Sequence, residues 1–357
     1  MTELFSPFSL GRLELPHHFV MAPMTRNRAN PDGVPGEFTP EYYAQRASLG
    51  LLITEGTQPN ADGQGYVNTP GIYTDEHVAG WRRVTDALHD AGAATYVQLM
   101  HAGRIAHVDN TPHHRQPVAP SAIASGTDMY TPSGKAPTST PRALTTAEVE
   151  QTVQDFRHAA ASAIAAGADG VEIHGANNYL VQQFFAPNAN ERTDQYGGSI
   201  ENRARFALEV AAAVADEIGA DRTGFRISPG SQGGGLDEGP SGNDLYRHLV
   251  GSLNDLGLAY LHVFHFGDDE LLADLRSLWK QPLLVLRGGR QLDEYERDLA
   301  SGLADGVPVG HLALANPDFV ERYRAGAPMN DADVATFFNG GAHGYVDYPT
   351  LSAAAGA

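Results

Sequence analysis

The sequence predicts an α/β fold, an eight-stranded parallel (β/α)8 barrel forming a single domain over residues 1–357. Three observations predict it. Eight short apolar runs alternate with helix-like segments along nearly the whole chain. The runs are apolar on both sides of the two-residue strand period, as strands covered on both faces must be. No G-x-G-x-x-G turn follows the first run, which counts against a doubly wound open sheet, the alternative arrangement.

In order, residues 3–17 read as an extended lead-in with turns at Pro7 and Gly11, and HFVMAPMT (18–25) as the first strand. A turn-rich loop leads to a helix over 37–48, with Thr39 as N-cap and Pro40 at the first helical position. LLITEGTQ (51–58) is the second strand, an amphipathic helix over 77–92 closes on Gly92, and ATYVQLMHAGR (94–104) is the third strand. Residues 105–144 are rich in Pro, Ser, Thr and His, and so long an irregular stretch reads as a lid inserted into the barrel. A strong helix over 145–168 opens with Thr145 or Thr146 and Glu148, a capping-box pattern. The fourth strand, beginning at Gly170, follows. Helices at 201–219, 243–257, 268–280 and 291–304 then alternate with strands at 223–229, 258–265, 282–289 and 306–316, and PDFVERYRAG (317–326) follows.

Bulk composition narrows the function. A chain of 357 residues, 42% hydrophobic, can bury a full barrel core. Its formal charge of −19 argues against nucleic acid and anionic membranes as partners. With no cysteine, thiolate catalysis, disulfides, Cys-bound zinc and iron–sulfur clusters are excluded. MTELFSPFSLGRLEL lacks the basic and apolar regions of a signal peptide, and no apolar run reaches membrane-spanning length. A cytoplasmic protein acting on small molecules, monomer or homodimer, is expected.

In a barrel, the carboxyl ends of the strands share one rim, where catalytic sites are built. Here those ends carry Pro23, Met24 and Thr25; Gly56 and Thr57; Gln98, Met100 and His101; His174, Asn177 and Tyr179; Arg226; His262 and His265; Arg287, Gly288 and Gly289; Gly310 and His311. The stretch 169–199 is the richest. His174 and Asn177 can donate to a substrate oxygen and Tyr179 can deliver a proton, three such groups within six residues of one strand end. The glycines after the seventh and eighth strands suit a phosphate. The rim histidines lack H-E-x-x-H or similar spacing, so no metal is expected. A phosphorylated, planar, polar-edged cofactor fits the rim.

The segments LFSPFSLGRLELPHHFVMAPMTRNRA, EYYAQRASLGLLITEGTQ, VQLMHAGR, VEIHGANNYLVQQFFAPNANERTDQYGGSIENRARF, GFRISP, ANPDFV and GYVDYPTL resemble the Old Yellow Enzyme family of FMN-dependent ene-reductases, whose fold is a TIM barrel. The resemblance covers nearly the whole chain. It implies FMN at the rim, with Thr25 near the flavin carbonyl and Pro23, Met24 and Gly56 against the ring. Gln98 is implied at the pyrimidine edge, Arg226 beside the edge where reduced flavin carries charge, and Gly288, Gly289 and Gly310 at the phosphate. His174 and Asn177 would bind the activating oxygen of an alkene, Tyr179 would be the proton donor, and Tyr66 and Tyr345 would line the substrate pocket. The implied reaction is ping-pong: NADPH or NADH delivers hydride to FMN, then an activated C=C bond, or a nitro compound, receives it.

Three departures from the family pattern stand out. Met100 replaces a common tryptophan, which enlarges and softens the pocket. His311 replaces an arginine that grips the phosphate, with Arg287 and Arg290 as possible compensation. The sixth strand ends in HVFHF, which has no functional account from sequence. Two other readings stay open: a flavoprotein dehydrogenase or demethylase on this barrel, disfavoured by the lack of Cys, and a flavin-free lyase or binding protein.

Overall fold

A computed structural model of the chain describes residues 3–231, 233–288 and 293–354. Its main sheet has eight parallel strands: β1 (Phe19–Met21), β2 (Leu51–Ile53), β3 (Ala94–Leu99), β4 (Gly170–Gly175), β5 (Thr223–Ile227), β6 (Tyr260–His265), β7 (Leu283–Arg287) and β8 (Val307–Val309). They pair in sequence order, β8 returns to lie beside β1, and a parallel bridge between Leu284 and Gly306 joins β7 to β8, so the sheet closes on itself. Outside it lie α1 (Thr39–Ala44), α2 (Asp75–Asp90), α3 (Thr146–Ala165), α4 (Ile200–Ile218), α5 (Gly242–Asn254), α6 (Asp269–Leu278), α7 (Asp293–Ala300) and α8 (Phe319–Ala325).

The helices begin where local chemistry supplies acceptors for their free N–H groups. At α3, Thr145 Oγ1 accepts from the Glu148 amide while Glu148 accepts from the Thr145 amide, the capping box expected from sequence. Asp268 caps α6 through the Leu271 amide at 2.9 Å. At α1 the cap residue is Phe38 and Thr39 is already helical, one position from the sequence reading, because Pro40 fixes the first turn without a side-chain cap.

Among the described residues, apolar side chains fill two main spaces. One lies between strands and helices and runs around the barrel. The other, with Phe8, Leu10, Leu15, Val20, Tyr96 and Leu284, plugs the amino-terminal mouth. Its cover is an antiparallel hairpin, Phe8–Leu10 against Leu13–Leu15, within the lead-in that sequence read as merely extended. With that mouth closed, the opposite rim is the open end.

Residues 105–144 hold a hairpin, Asp128–Thr131 against Gly134–Pro137, and a two-residue parallel pair of Val118–Ala119 with Arg142–Ala143. The eighth strand is shorter than read: β8 stops at Val309 and His311–Ala315 is a short helix. Among the described residues, no helix is long and apolar enough to cross a membrane.

Candidate active site

The carboxyl rim encloses a cavity of about 560 Å³, within the size of small-molecule and cofactor sites. Its wall includes Pro23, Met24, Thr25, Gln98, Met100, His174, Asn177, Tyr179, Arg226, Arg287, Gly288, Gly310 and His311. Thus the ends of β1, β3, β4, β5, β7 and β8, widely spaced in sequence, meet in one space.

The β4 end is shaped by a tight turn in which Asn177 and Asn178 both adopt left-handed backbone, φ 55° and 67°. Asparagine tolerates this conformation better than most residues. The turn is held by Ser228, which accepts from the Asn177 amide at 2.8 Å, and by Gln182, which accepts from the Asn178 amide at 2.7 Å. His174 and Tyr179 are brought together with ring centroids 5.0 Å apart, edge to face. His174 Nδ1 accepts from the Ala176 amide at 3.2 Å, so the neutral ring carries its proton on Nε2. Burial, then the positive Arg226 and neighbouring His262, push the imidazole well below its usual range. Burial and the neighbouring Tyr66 push the Tyr179 hydroxyl well up, so it holds its proton. Asn177 Oδ1 and Arg226 Nε are buried with no protein partner.

The structure moves three expected residues off the wall. Tyr345 is fully buried, stacked on Tyr42 at 4.1 Å with Arg26 and Arg28 over its ring, so it does not reach the cavity as a substrate-pocket residue. Tyr66 is not part of the wall; its hydroxyl lies 3.0 Å from the Tyr179 hydroxyl. Gly56 lies behind Met100, where a Cβ would meet the sulfur at 2.5 Å. Gly289 and Arg290 lie outside the described residues.

Arg287 borders the cavity but is not a free cation. Its Nη2 donates to Asp298 at 3.0 Å and its Nη1 to Asp269 at 3.0 Å, with His265 beside it. The compensation expected of it at a phosphate is therefore largely spent on the protein's own carboxylates. Nor does the lid 105–144 supply any wall residue; it packs on the loop that carries Tyr66, where Asn110 donates to the Gly65 carbonyl at 3.1 Å.

Sequence reading missed the aromatic part of the wall. Phe264, from the unexplained HVFHF, packs under the Arg226 guanidinium at 5.5 Å. Phe337 packs on His311 with ring centroids 4.9 Å apart, and Phe338 is 58% exposed beside it. This carboxyl-terminal segment is fastened to the loop after β1. Arg26 Nε donates to the Phe337 carbonyl at 3.0 Å, and Arg28 Nη2 to the Thr336 and Asn339 carbonyls at 2.9 and 2.8 Å. The adjacent pair Phe337–Phe338 in a polar tail was the available signal.

The model of the NADH:flavin oxidoreductase / NADH oxidase family matches residues 3–330. The chain belongs to that family. Within it, a probable flavin mononucleotide-dependent alkene reductase from Leishmania infantum is 42% identical over 358 residues, covering 98% of this chain and 97% of the relative. The 12-oxophytodienoate reductase 1 of Oryza sativa subsp. japonica is 41% identical over 361 residues, covering 98% and 93%. A structure of morphinone reductase in complex with tetrahydroNAD superposes with a TM-score of 0.94 at 44% identity, covering 98% of both chains. The old yellow enzyme homologue from Zymomonas mobilis superposes at 0.93 with 36% identity, covering 98% of this chain and all of the other. The Old Yellow Enzyme resemblance drawn from sequence motifs and the barrel architecture are both upheld.

The donor set suits FMN. Buried Arg226 offers an unpartnered N–H toward an anionic ring, Gln98 offers an amide, and Pro23, Met24 and Phe264 offer apolar faces. At the phosphate end the wall offers Gly288, Gly310 and His311. Among the described residues, no group of three His, Asp or Glu side chains could hold a metal ion.

Proposed function

We propose that the protein is an FMN-dependent ene-reductase that draws electrons from NADPH or NADH and reduces C=C bonds conjugated to an electron-withdrawing group. The observation that carries this is that His174, Asn177 and Tyr179, at the end of β4, line the same cavity as Gln98 and Arg226 from the flanking strands β3 and β5.

Thr25, Gln98, Arg226 and the Gly288–Gly310 side would hold FMN, which would supply the hydride chemistry that links the nicotinamide to the β-carbon of the alkene. The chain's own residues do the rest. His174 Nε2–H and the Asn177 side chain bind the substrate oxygen and draw electron density toward it. Tyr179, neutral and facing the cavity, gives its hydroxyl proton to the α-carbon. Arg226 places positive charge where the bound cofactor gains negative charge. Phe264 beside Arg226 and Phe337 beside His311 give the cavity apolar cover. A cytoplasmic location and a monomeric or homodimeric state belong to the same reading.

The test is the visible spectrum of the purified protein, followed by anaerobic NADPH and then 2-cyclohexenone. A yellow protein that bleaches with NADPH and regains colour with the enone is expected. A colourless protein that refuses added FMN would sink this reading and leave the flavin-free one, which the neutralised Arg287 favours.

A further inference from the structure

Beneath the cavity the barrel interior holds a carboxylate with no part in the chemistry above. Glu172 lies in the middle of β4, fully buried, two residues before His174 and on the same side of the strand. The strand register sets it opposite Gln98 on β3 and Gly224 on β5, with Gly224 opposite Tyr260 on β6. One step higher, His174, Arg226 and His262 align. The interior is therefore layered, and the upper layer opens into the cavity.

Glu172 is the hub of the lower layer. It accepts from Gln98 Nε2 at 2.7 Å, from the Tyr260 hydroxyl at 3.0 Å and from His262 Nδ1 at 2.8 Å. Gly224 makes this possible: a Cβ there would come within 2.2 Å of the Tyr260 ring, which crosses below β5 to reach the carboxylate. Burying a carboxylate costs several kcal/mol before pairing, and an apolar side chain of similar size would avoid that cost. The charge is nevertheless placed beside Gln98 and one layer below Arg226, both of which face the cavity.

Two consequences follow from elementary chemistry. A carboxylate only accepts, so it fixes which end of the Gln98 amide faces it: the nitrogen is held toward Glu172, leaving Oε1 as the acceptor. Glu172 is also the carboxylate whose attraction is felt by buried Arg226. Burial works against an ionised Glu172, yet His262, Arg226 and Gln98 outweigh it and keep the carboxyl below its usual range.

We propose that Glu172 is a positioning residue for the cofactor side of the cavity, orienting the Gln98 amide and offsetting part of the Arg226 charge. This rests on the FMN reading above. Neutralising Glu172 unmasks Arg226, so an anionic reduced cofactor is favoured over the oxidised one.

The experiment compares the midpoint potential of bound FMN in the parent holoenzyme, Glu172→Gln and Tyr260→Phe. In Glu172→Gln the reduced form should gain at least about tenfold, which is about 30 mV for a two-electron couple. Tyr260→Phe keeps the charge and removes one donor, so its potential should stay near the parent's while its melting temperature falls. A purely structural Glu172 would lower the melting temperature of Glu172→Gln and leave the potential alone. That result, or an equal shift in Tyr260→Phe, would overturn the proposal. If Glu172→Gln is isolated without FMN, Glu172→Asp decides: the charge role requires it to retain FMN, and loss by both variants overturns the role. A parent protein that binds no FMN would instead overturn the underlying functional reading.

Discussion

The hydroxyls of Tyr66 and Tyr179 lie 3.0 Å apart, with their rings perpendicular. Tyr66 comes from the loop after β2, so the residue we assign as proton donor is itself hydrogen-bonded to a second phenol.

Tyr179→Phe should leave bleaching by NADPH unchanged and slow recovery by 2-cyclohexenone about 10²- to 10⁴-fold, the usual worth of a positioned acid. Tyr66→Phe removes one neutral hydrogen bond and should slow the same step by about tenfold or less. Stopped-flow absorbance of the two half-reactions separates them. Equal effects of both changes on both half-reactions would contradict the proton-donor role of Tyr179.

His174 should act in one protonation state. Because burial and Arg226 hold its imidazole well below the ordinary range, the alkene half-reaction should show no imidazole inflection between about pH 6 and 8. His174→Ala, which removes the Nε2 donor, should cost about 10²- to 10³-fold in that step, as loss of an oxyanion donor does. His174→Asn retains an N–H and should cost less. An inflection near neutrality that vanishes in His174→Asn would show that the ring is charged during turnover.

Much of the barrel was legible because its strands are covered on both faces and so read as continuous apolar runs, as in LLI of β2 and LLVL of β7. The strand-end residues were legible for a related reason: polarity breaks those runs where the chain reaches the rim. What stayed hidden depends on partners that only the fold brings together. Glu172 and His262 pair across 90 residues, and nothing in either segment signals the other. Arg287 reads as a free cation until the fold brings Asp298 and Asp269 to it. Tyr345 fits a motif, yet its neighbour Tyr42, across the fold, decides which way it faces.

His101 makes stability depend on pH. Its ring is buried, Nδ1 accepts from the Gly103 amide at 3.1 Å, and Nε2 has no partner. Burial lowers the imidazole from 6.5 to about 4. In the unfolded chain the ring takes up its proton near the higher value, in the folded chain only near the lower one. Between them the unfolded state binds more protons, so stability is full above about pH 6.5 and falls as pH drops toward 4, by on the order of 3 kcal/mol. Melting temperatures at several pH values across that window should fall more steeply for the parent than for His101→Gln; parallel curves would contradict the assignment.

Gly56 sets how far Met100 enters the cavity. A Cβ at position 56 would lie 2.5 Å from the Met100 sulfur and 3.2 Å from its Cβ, while the far side of Met100 faces the cavity. Gly56→Ala must therefore push the thioether into the space where the substrate or the flavin ring is held. Methionine is flexible enough to yield, so the expected loss of stability is about 1–3 kcal/mol rather than loss of the fold. The functional cost should depend on substrate size: kcat/KM for a bicyclic enone should fall more than kcat/KM for 2-cyclohexenone. Met100→Ala removes the side chain that is displaced, so in that background Gly56→Ala should have little further effect. The double-mutant cycle is the measurement, because residues in contact couple and independent ones add. Additive losses in the double variant would mean that Gly56 acts on the cavity by some route other than Met100.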